Sequence, residues 1–388
     1  MAASGRAAAM RSEYHGPATE APGMNFDFSE DQKLLQKTAR DYLAEHCGLD
    51  VCRSVLESGG THSDSLWKGV AEMGWLGAAV PESYGGAGFG RLELALIAQE
   101  LGRALAPIPF GPTAYLVIEG LLEFGSEDQK KKYLPRLVSG ELIGTFALSE
   151  RAGRSGIADV TTTLTKGTLS GVKFPVPDGQ IAGLALVVAK GDAGPLLALV
   201  ELDGSGVEVT PVGSIDPSRP ASRIAFDGAA ASALANGAGE KAVLHLLDRA
   251  AVLTAFEQIG GAERALEVTR EFTLHRYAFG RPVASFQTIK HRLADIYAAV
   301  QLATSNAYYG AWALSTGAAE LPVAACGSRI SASEAYDLAG KDCIQMHGGV
   351  GFTWEYDCHL FYRRSKLLSL SLGAPGEWRN RLIDRLEA

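Results

Sequence analysis

The sequence predicts an α+β protein in which a β-rich segment separates two helical segments. Apolar residues recur at helical spacing from about residue 25 to residue 140, and again after Gly239. From about residue 145 to residue 230, short apolar and β-branched runs alternate with Gly, Asp and Pro, a pattern typical of strands and turns. We therefore predict an N-terminal helical domain over 24–143, an antiparallel β-domain over 144–238 and a C-terminal helical bundle over 239–388.

The composition is that of a globular protein with a sizeable core. Of 388 residues, 47% are hydrophobic and 21% are charged, and the net charge of −8 argues against a nucleic-acid binder. No apolar run approaches the roughly 20 residues of a membrane span, so we expect none. Residues 1–23 are rich in Ala, Ser and Gly and lack a hydrophobic signal region, so we expect a disordered tail or a start-site artefact before Met24.

The cysteines are few and odd in number, and none forms a CxxC pair. This usage is typical of a reducing compartment, so we expect a cytoplasmic protein. Cysteine and histidine spacing matches no zinc motif, and we assign no metal from it. The five are Cys47, Cys52, Cys326, Cys343 and Cys358. Cys343 and Cys358 flank a glycine motif, where small buried thiols are the expected role.

Local signals predict the main helices. Ser29 and Gln32 form a capping box at the start of the first helix. Further helices are predicted over 67–75, 92–105, 126–137, 241–275, 287–314, 331–346 and 378–386. The Gly260-Gly261 pair inside the longest helix costs helix propensity, which predicts close packing against another helix there.

Three separated motifs carry the chemical information. They are PESYGGAGFG from Pro81, RYAFGRP from Arg276 with its continuation through Ser285, Phe286 and Gln287, and QMHGGVGFTWE from Gln345. Together, and in this order, they make the chain from about Met24 onward resemble acyl-CoA dehydrogenases. The resemblance implies the same helical, β and helical domain order, an FAD cofactor, and α,β-dehydrogenation of an acyl-CoA thioester.

The last two motifs suit a diphosphate group. An arginine supplies a charge-assisted contact, and bare glycines let backbone N–H groups approach a phosphate. No βαβ context surrounds the Gly-Gly pair, so it is not a Rossmann fingerprint. Taken singly, such a pair is usually a turn and such an arginine a surface charge. By resemblance, the residues that contact FAD of the neighbouring subunit are Arg276, Phe279, Gln287, Gln345, Gly348 and Gly349.

The half of the site that holds the flavin ring within one subunit departs from the family pattern. The family stretch like Thr-Glu-Pro-Gly-Ala-Gly-Ser-Asp is replaced by SERAGRSG, in which Ser149 and Ser155 keep hydroxyls as cofactor contacts. The family's Trp-x-Thr aligns with Pro175-Val176-Pro177, which offers neither an indole nor a hydroxyl. We expect a weakened flavin pocket here, or a divergent subfamily that uses other contacts.

The catalytic base is missing at both family positions. The reaction needs a positioned carboxylate to take the α-proton. Alignment places Leu372 at one family position and Ala250 at the other, and neither can accept a proton. Glu257 lies seven residues after Ala250, on the same helix face, and is either a displaced base or a buried structural carboxylate. Exposed surface positions are expected for Asp248 and Glu377.

Three functions follow from this pattern. The chain is a subunit of a heteromeric dehydrogenase that donates FAD contacts outward, a self-sufficient dehydrogenase with a displaced base, or a flavin-free structural homologue. The residues that would contact the FAD of the neighbouring subunit match the family pattern, whereas those that would hold the flavin ring or act as base within this chain depart from it. This contrast favours the first function. The resemblance implies an acyl-CoA substrate, a homo- or heterotetramer with a related subunit, and an electron-transferring flavoprotein as acceptor. Such a heteromer resembles those of bacterial breakdown of bulky CoA esters, including steroid side chains, and the resemblance implies a substrate of that kind.

Overall fold

The computed structural model describes residues 28–153 and 156–387, so the expectation for residues 1–23 and the contact assigned to Ser155 lie outside it. Helices fill the beginning and end of the chain, with a seven-stranded sheet between them. The helices are α1 Glu30–His46, α2 Leu49–Ser58, α3 Asp64–Glu72, α4 Arg91–Arg103, α5 Glu119–Phe124, α6 Glu127–Val138, α7 Glu240–His275, α8 Gln287–Thr316, α9 Leu321–His347, α10 Cys358–Leu370 and α11 Pro375–Glu387.

The first helix begins where its cap predicts, whereas α2 and α5 were not predicted and α3 begins three residues before its predicted start. The capping box is confirmed, because Ser29 Oγ accepts from the Gln32 backbone N–H at 3.2 Å and Gln32 Oε1 accepts from the Ser29 N–H at 2.9 Å. Helix α4 ends at Arg103, before a proline-rich stretch. A π-helix over Gly111–Ile118 follows, fully buried, with Pro112 in its first turn. This buried turn later forms one wall of a cavity.

The sheet is mostly antiparallel, as predicted, but β4 forms parallel pairs with β1 and β2. A long crossover joins β1 to β4, which permits parallel pairing. Strand β3 (Thr168–Pro177) contains two prolines: Pro175 lies where the register with β7 (Ala221–Ala238) shifts between Lys173 and Val176, and Pro177 is the last residue of the strand. The strands are β1 Gly144–Ala147, β2 Thr163–Thr165, β3 Thr168–Pro177, β4 Leu184–Gly191, β5 Gly194–Glu201, β6 Val207–Val212 and β7 Ala221–Ala238.

Helix α7 is the centre of the C-terminal bundle, and the predicted close packing at its glycine pair is confirmed. A Cβ on Gly260 would lie 1.8 Å from the Gln99 carbonyl oxygen of α4, and one on Gly261 would lie 2.4 Å from the Tyr336 ring of α9. Helix α9 begins ten residues before the predicted start at Ser331. In the described part of the chain, no helix is long and apolar enough to cross a membrane.

A buried arginine ties the three parts of the chain together. Arg364 of α10 is 1% exposed and donates from Nε to Asp216 Oδ2 of the β-domain at 2.5 Å. It also donates to Ser218 Oγ at 3.1 Å and to the Ala106 carbonyl, after α4, at 3.4 Å. Because a buried guanidinium is stable only when paired and hydrogen-bonded, this residue fixes the two helical parts against the sheet.

Candidate functional site

A two-residue hairpin loop presents Phe279 to solvent. Strands β8 Tyr277–Ala278 and β9 Arg281–Pro282 pair just after α7, and the loop residues Phe279 and Gly280 have φ of 52° and 77°. Two positive φ values are the signature of a type I′ turn. The turn leaves the Phe279 side chain 96% exposed. The ring lies edge-on to Phe286, with 6.3 Å between the ring centroids.

Arg276 stands immediately before this hairpin and is also exposed. Its backbone is fixed, because its N–H donates to the Phe272 carbonyl at 2.9 Å and its carbonyl accepts from the Val283 N–H at 2.7 Å. We find no ion pair or hydrogen bond for its guanidinium within residues 28–153 and 156–387. A rigidly mounted, unpaired guanidinium is suited to an anion brought by another molecule.

The glycine motif forms the turn after α9. Gly348 has φ 64°, which the turn requires of a glycine, and a short 3-10 helix runs over Gly348–Phe352. Gly351 is also needed inside the chain, since a Cβ there would lie 2.4 Å from the Ile344 carbonyl oxygen. Gly349 is different: its φ is not positive and a Cβ would meet nothing within 4 Å. No contact within this turn requires a glycine at position 349, and the backbone of this residue is exposed.

The structure brings the arginine and glycine motifs to neighbouring helix ends. The His347 ring, last in α9, stacks on Phe272 in the last turns of α7 at 4.1 Å between ring centroids. Gln345 and Gln287, the latter first in α8, are exposed near these ends. All six residues predicted to reach a neighbouring FAD therefore lie on the surface of this chain. They fit the diphosphate of that cofactor by charge and by open backbone.

A cavity of about 360 Å³ lies between the helices and the sheet. Its wall includes Ser149 and the Pro175 and Pro177 that replace the family's Trp-x-Thr, together with Leu372 at one family base position. The other family base position, Ala250, is fully buried and is not among the described residues that line the cavity. A pocket of this size, mostly apolar with a few polar groups, is typical of a small-molecule site.

Glu257 lines this cavity and is 4% exposed. Its Oε1 lies 3.6 Å from Nη1 of Arg219, and Nη2 of Arg219 lies 3.3 Å from Asp178 Oδ2. Burial, and then the negative charge of Glu257, raises the pKa of the Tyr115 hydroxyl well above its usual range. The Glu257 carboxylate is therefore paired with Arg219 inside the cavity, as a structural carboxylate would be. It also borders the space in which a ligand would bind.

The position of Ser149 depends on a buried ion pair that the sequence did not reveal. The Ser149 carbonyl accepts from the Phe174 N–H at 2.8 Å. The next residue, Glu150, accepts from Lys173 Nζ at 2.9 Å and from the backbone N–H groups of Thr161 and Thr162 at 2.8 Å each. The only sequence signal is a lysine at an inward-facing position of a strand.

This ion pair changes the pKa values of both partners. Burial alone would raise the pKa of Glu150, but hydrogen bonds from Thr161, Thr162 and Lys173 outweigh it and lower the pKa to about 2. Burial lowers the pKa of Lys173 to about 8, against the opposing effect of Glu150. Both groups are charged at neutral pH, and they hold the backbone on which Ser149 sits.

Known proteins match the chain over most of its length. Family models for the N-terminal and C-terminal domains of acyl-CoA dehydrogenase match residues 29–141 and 237–386. Acyl-CoA dehydrogenase IpdE2 of Mycobacterium tuberculosis is 31% identical over 91% of this chain and 96% of its own length. Acyl-CoA dehydrogenase FadE27 of the same organism is 30% identical over 81% of this chain and 86% of its own length.

Solved structures agree with this match. The ChsE4–ChsE5 complex from M. tuberculosis superposes with a TM-score of 0.86 and 27% identity, over 94% of this chain and 99% of that chain. A variant of the Tcur3481–Tcur3483 steroid ACAD superposes with a TM-score of 0.84 and 30% identity, over 92% of this chain and 98% of that chain. The chain therefore belongs to the acyl-CoA dehydrogenase family of FAD-dependent oxidoreductases.

Proposed function

We propose that this chain is a subunit of a heteromeric acyl-CoA dehydrogenase and donates contacts to an FAD whose flavin ring sits mainly in a partner subunit. One contrast carries the proposal. The outward-facing residues Arg276 and Gly349 are intact and have no binding role inside the chain. The family base positions Leu372 and Ala250 hold side chains that cannot accept a proton.

Each donated residue has a physical role. The guanidinium of Arg276 pairs with the FAD diphosphate, and the backbone at Gly348 and Gly349 donates N–H groups to it. Gln345 and Gln287 add side-chain hydrogen bonds, while the Phe279 ring is buried when the partner docks. When bound, FAD supplies the acceptor for the hydride that leaves the substrate β-carbon. The chain's own contribution is to hold and orient that cofactor.

The residues that would hold the flavin ring within this chain support the same assignment of roles to the two subunits. Pro175 and Pro177 line the cavity where family members place an indole and a hydroxyl, and Ser149 lines it with a predicted hydroxyl contact. The contact expected from Ser155 lies outside the described residues. The partner subunit then supplies both the flavin pocket and the carboxylate base.

The relatives suggest the kind of complex. Two of the similar structures are complexes of two named proteins, and one of these is a steroid ACAD. By analogy, we propose a heterotetramer that acts on a bulky acyl-CoA, such as a steroid-derived ester, with an electron-transferring flavoprotein as acceptor. The free cysteines in the described residues suit a reducing compartment such as the cytoplasm.

One observation favours a second candidate, a self-sufficient homomeric enzyme. Glu257 lines the same cavity as Leu372 and carries a carboxylate, so it is placed to take the α-proton of a bound thioester. Against this, its charge is already paired with Arg219.

Co-purification from the native host tests the proposal. The chain is purified alone and with the proteins that accompany it, and flavin per chain and acyl-CoA-dependent dye reduction are measured for both. Flavin and turnover only in the complex support the proposal. Full flavin occupancy with turnover in the isolated chain contradicts it and supports the homomeric enzyme. Absence of flavin from every preparation contradicts both and supports a flavin-free homologue.

A further inference from the structure

Three metal-ligating side chains meet beneath the glycine motif. Cys343 and His347 lie one turn apart on α9, and Cys358 is the first residue of α10. All three are buried, and their sulfur and ring-nitrogen atoms lie within 4.8 Å of one another. His347 Nδ1 lies 3.9 Å from Cys343 Sγ. The cluster is not evident from the sequence, because Cys358 is fifteen residues from Cys343 and no zinc-motif spacing links them.

We propose that Cys343, His347 and Cys358 bind one Zn²⁺ ion as a structural site. With Zn–S bonds of about 2.3 Å and Zn–N bonds of about 2.0–2.1 Å, neighbouring ligand atoms in a tetrahedral site lie somewhat under 4 Å apart. The Cys343–His347 distance meets this already. The i,i+4 spacing on one helix face is the spacing that places two ligands on a single zinc ion.

Charge and surroundings favour a thiophilic divalent cation. Zn²⁺ replaces the two thiol protons, so the bound cluster is neutral and carries no uncompensated buried charge. The Gly351 carbonyl lies 3.3 Å from Cys358 Sγ, close enough to provide a fourth ligand after a small movement. The Nδ1–H of His347 donates to the Cys343 carbonyl at 2.6 Å, and coordination through Nδ1 exchanges that hydrogen bond for the metal bond. The ring is already oriented by its stack on Phe272.

The ion would join the end of α9 to the start of α10. The turn between them contains Gly348 and Gly349, the backbone we assign to the FAD diphosphate. Fixing both ends of the turn lowers the conformational entropy that cofactor binding must overcome. The zinc site itself does not depend on that assignment, since the ligands are independent of the exposed residues.

Metal analysis of the full chain tests the proposal. The protein is purified without chelators, reconstituted with Zn²⁺, desalted and analysed by elemental mass spectrometry, and one zinc per chain is expected. Co²⁺ in place of Zn²⁺ is expected to give the visible bands of a tetrahedral site and a thiolate-to-cobalt charge-transfer band. The Cys343→Ser and Cys358→Ser variants should each bind Zn²⁺ at least about 100-fold more weakly, since even outer contacts of metal ligands contribute 10–100-fold.

Cys326→Ser is the matched control, because Cys326 is also buried on α9 but lies 3.1 Å from Arg385 Nη1 instead of near the cluster. This variant should keep one zinc per chain. Three results overturn the proposal: no bound zinc in reconstituted protein with free thiols, full zinc occupancy in the Cys343→Ser/Cys358→Ser double variant, or a Cys343–Cys358 disulfide in freshly purified protein. The metal content is read without flavin, so failure here leaves the proposed function untouched.

Discussion

Glu257 of α7 and Leu372, which follows α10, line one cavity. The first is a carboxylate paired with Arg219 at 3.6 Å, and the second is a leucine where family members carry a base. This relationship separates the two enzymatic accounts of the chain. In one, proton abstraction occurs in the partner subunit and Glu257 is structural; in the other, Glu257 has taken over the chemistry.

Glu257→Gln distinguishes these accounts. Loss of the carboxylate weakens the pairing with Arg219, and the free energy of unfolding should fall by about 1–3 kcal/mol. Turnover of the assembled complex should nevertheless stay close to that of the unmodified protein. A displaced base would instead lose about 10²–10⁴-fold in kcat. Thr254→Val, which alters the same cavity wall without removing a carboxylate, controls for changes in cavity shape.

Gly349→Val tests the outward role of the glycine turn. A Cβ at this position meets nothing within 4 Å and the residue is exposed, so the stability of the isolated chain should change by no more than about 0.5 kcal/mol. In the complex, the added methyl groups should block the diphosphate and weaken FAD binding at least tenfold, measured by flavin release on dilution. Lys341→Ala, at an exposed position of α9, should leave flavin release unchanged. Equal release from both variants would remove the glycine turn from the cofactor site.

Gly260→Ala tests the close approach of α7 and α4. The new methyl group would lie 1.8 Å from a backbone oxygen of α4, and overpacking of this kind costs about 3 kcal/mol or more. Gly327→Ala on α9 is the matched control, because a Cβ there meets nothing within 4 Å. It should stabilise the protein by about 0.5–1 kcal/mol through helix propensity. Urea unfolding of the two variants should therefore shift in opposite directions, and a shared direction would contradict the packing.

Several features of the fold follow from local sequence, and these were predictable. The Ser29–Gln32 capping box and the long α7 depend on residues close together in the chain, and the Gly260-Gly261 pair predicted the close packing of α7 without identifying its partners on α4 and α9. The prolines of β3 oppose a strand locally, while pairing with β7 outweighs them. Helix α9 was predicted to begin ten residues too late.

The same distinction between local and long-range determinants applies to the candidate site. The six outward residues were predicted because each belongs to a short motif. The pairs Glu257–Arg219 and Glu150–Lys173 join residues separated by whole strands or helices, and Cys358 meets Cys343 and His347 from the next helix. No local spacing marks such contacts, since only the packed fold determines which side chains share a buried space.

Acid titration tests the Glu150–Lys173 pair. The pKa of Glu150 is lowered to about 2 in the folded chain, so the stability it contributes is complete above the ordinary pKa of 4.5 and is lost as the pH falls toward 2. Glu150→Gln should lower stability at neutral pH and should flatten the dependence of stability on pH between 4.5 and 2. The measurement is urea unfolding across that range. Parallel pH profiles for the two proteins would show that the carboxylate gains nothing from its neighbours.

We propose above that Arg276 binds the diphosphate of an FAD that lies mainly in the partner subunit. The most direct test of this claim is the flavin content of the assembled complex after gel filtration, for Arg276→Ala and for Arg270→Ala, an exposed arginine on α7, the helix that ends just before Arg276. A charge-assisted contact contributes about 1.5–3 kcal/mol, so Arg276→Ala should weaken FAD binding about tenfold or more, and Arg270→Ala should not. Full flavin content in the Arg276→Ala complex would contradict the account.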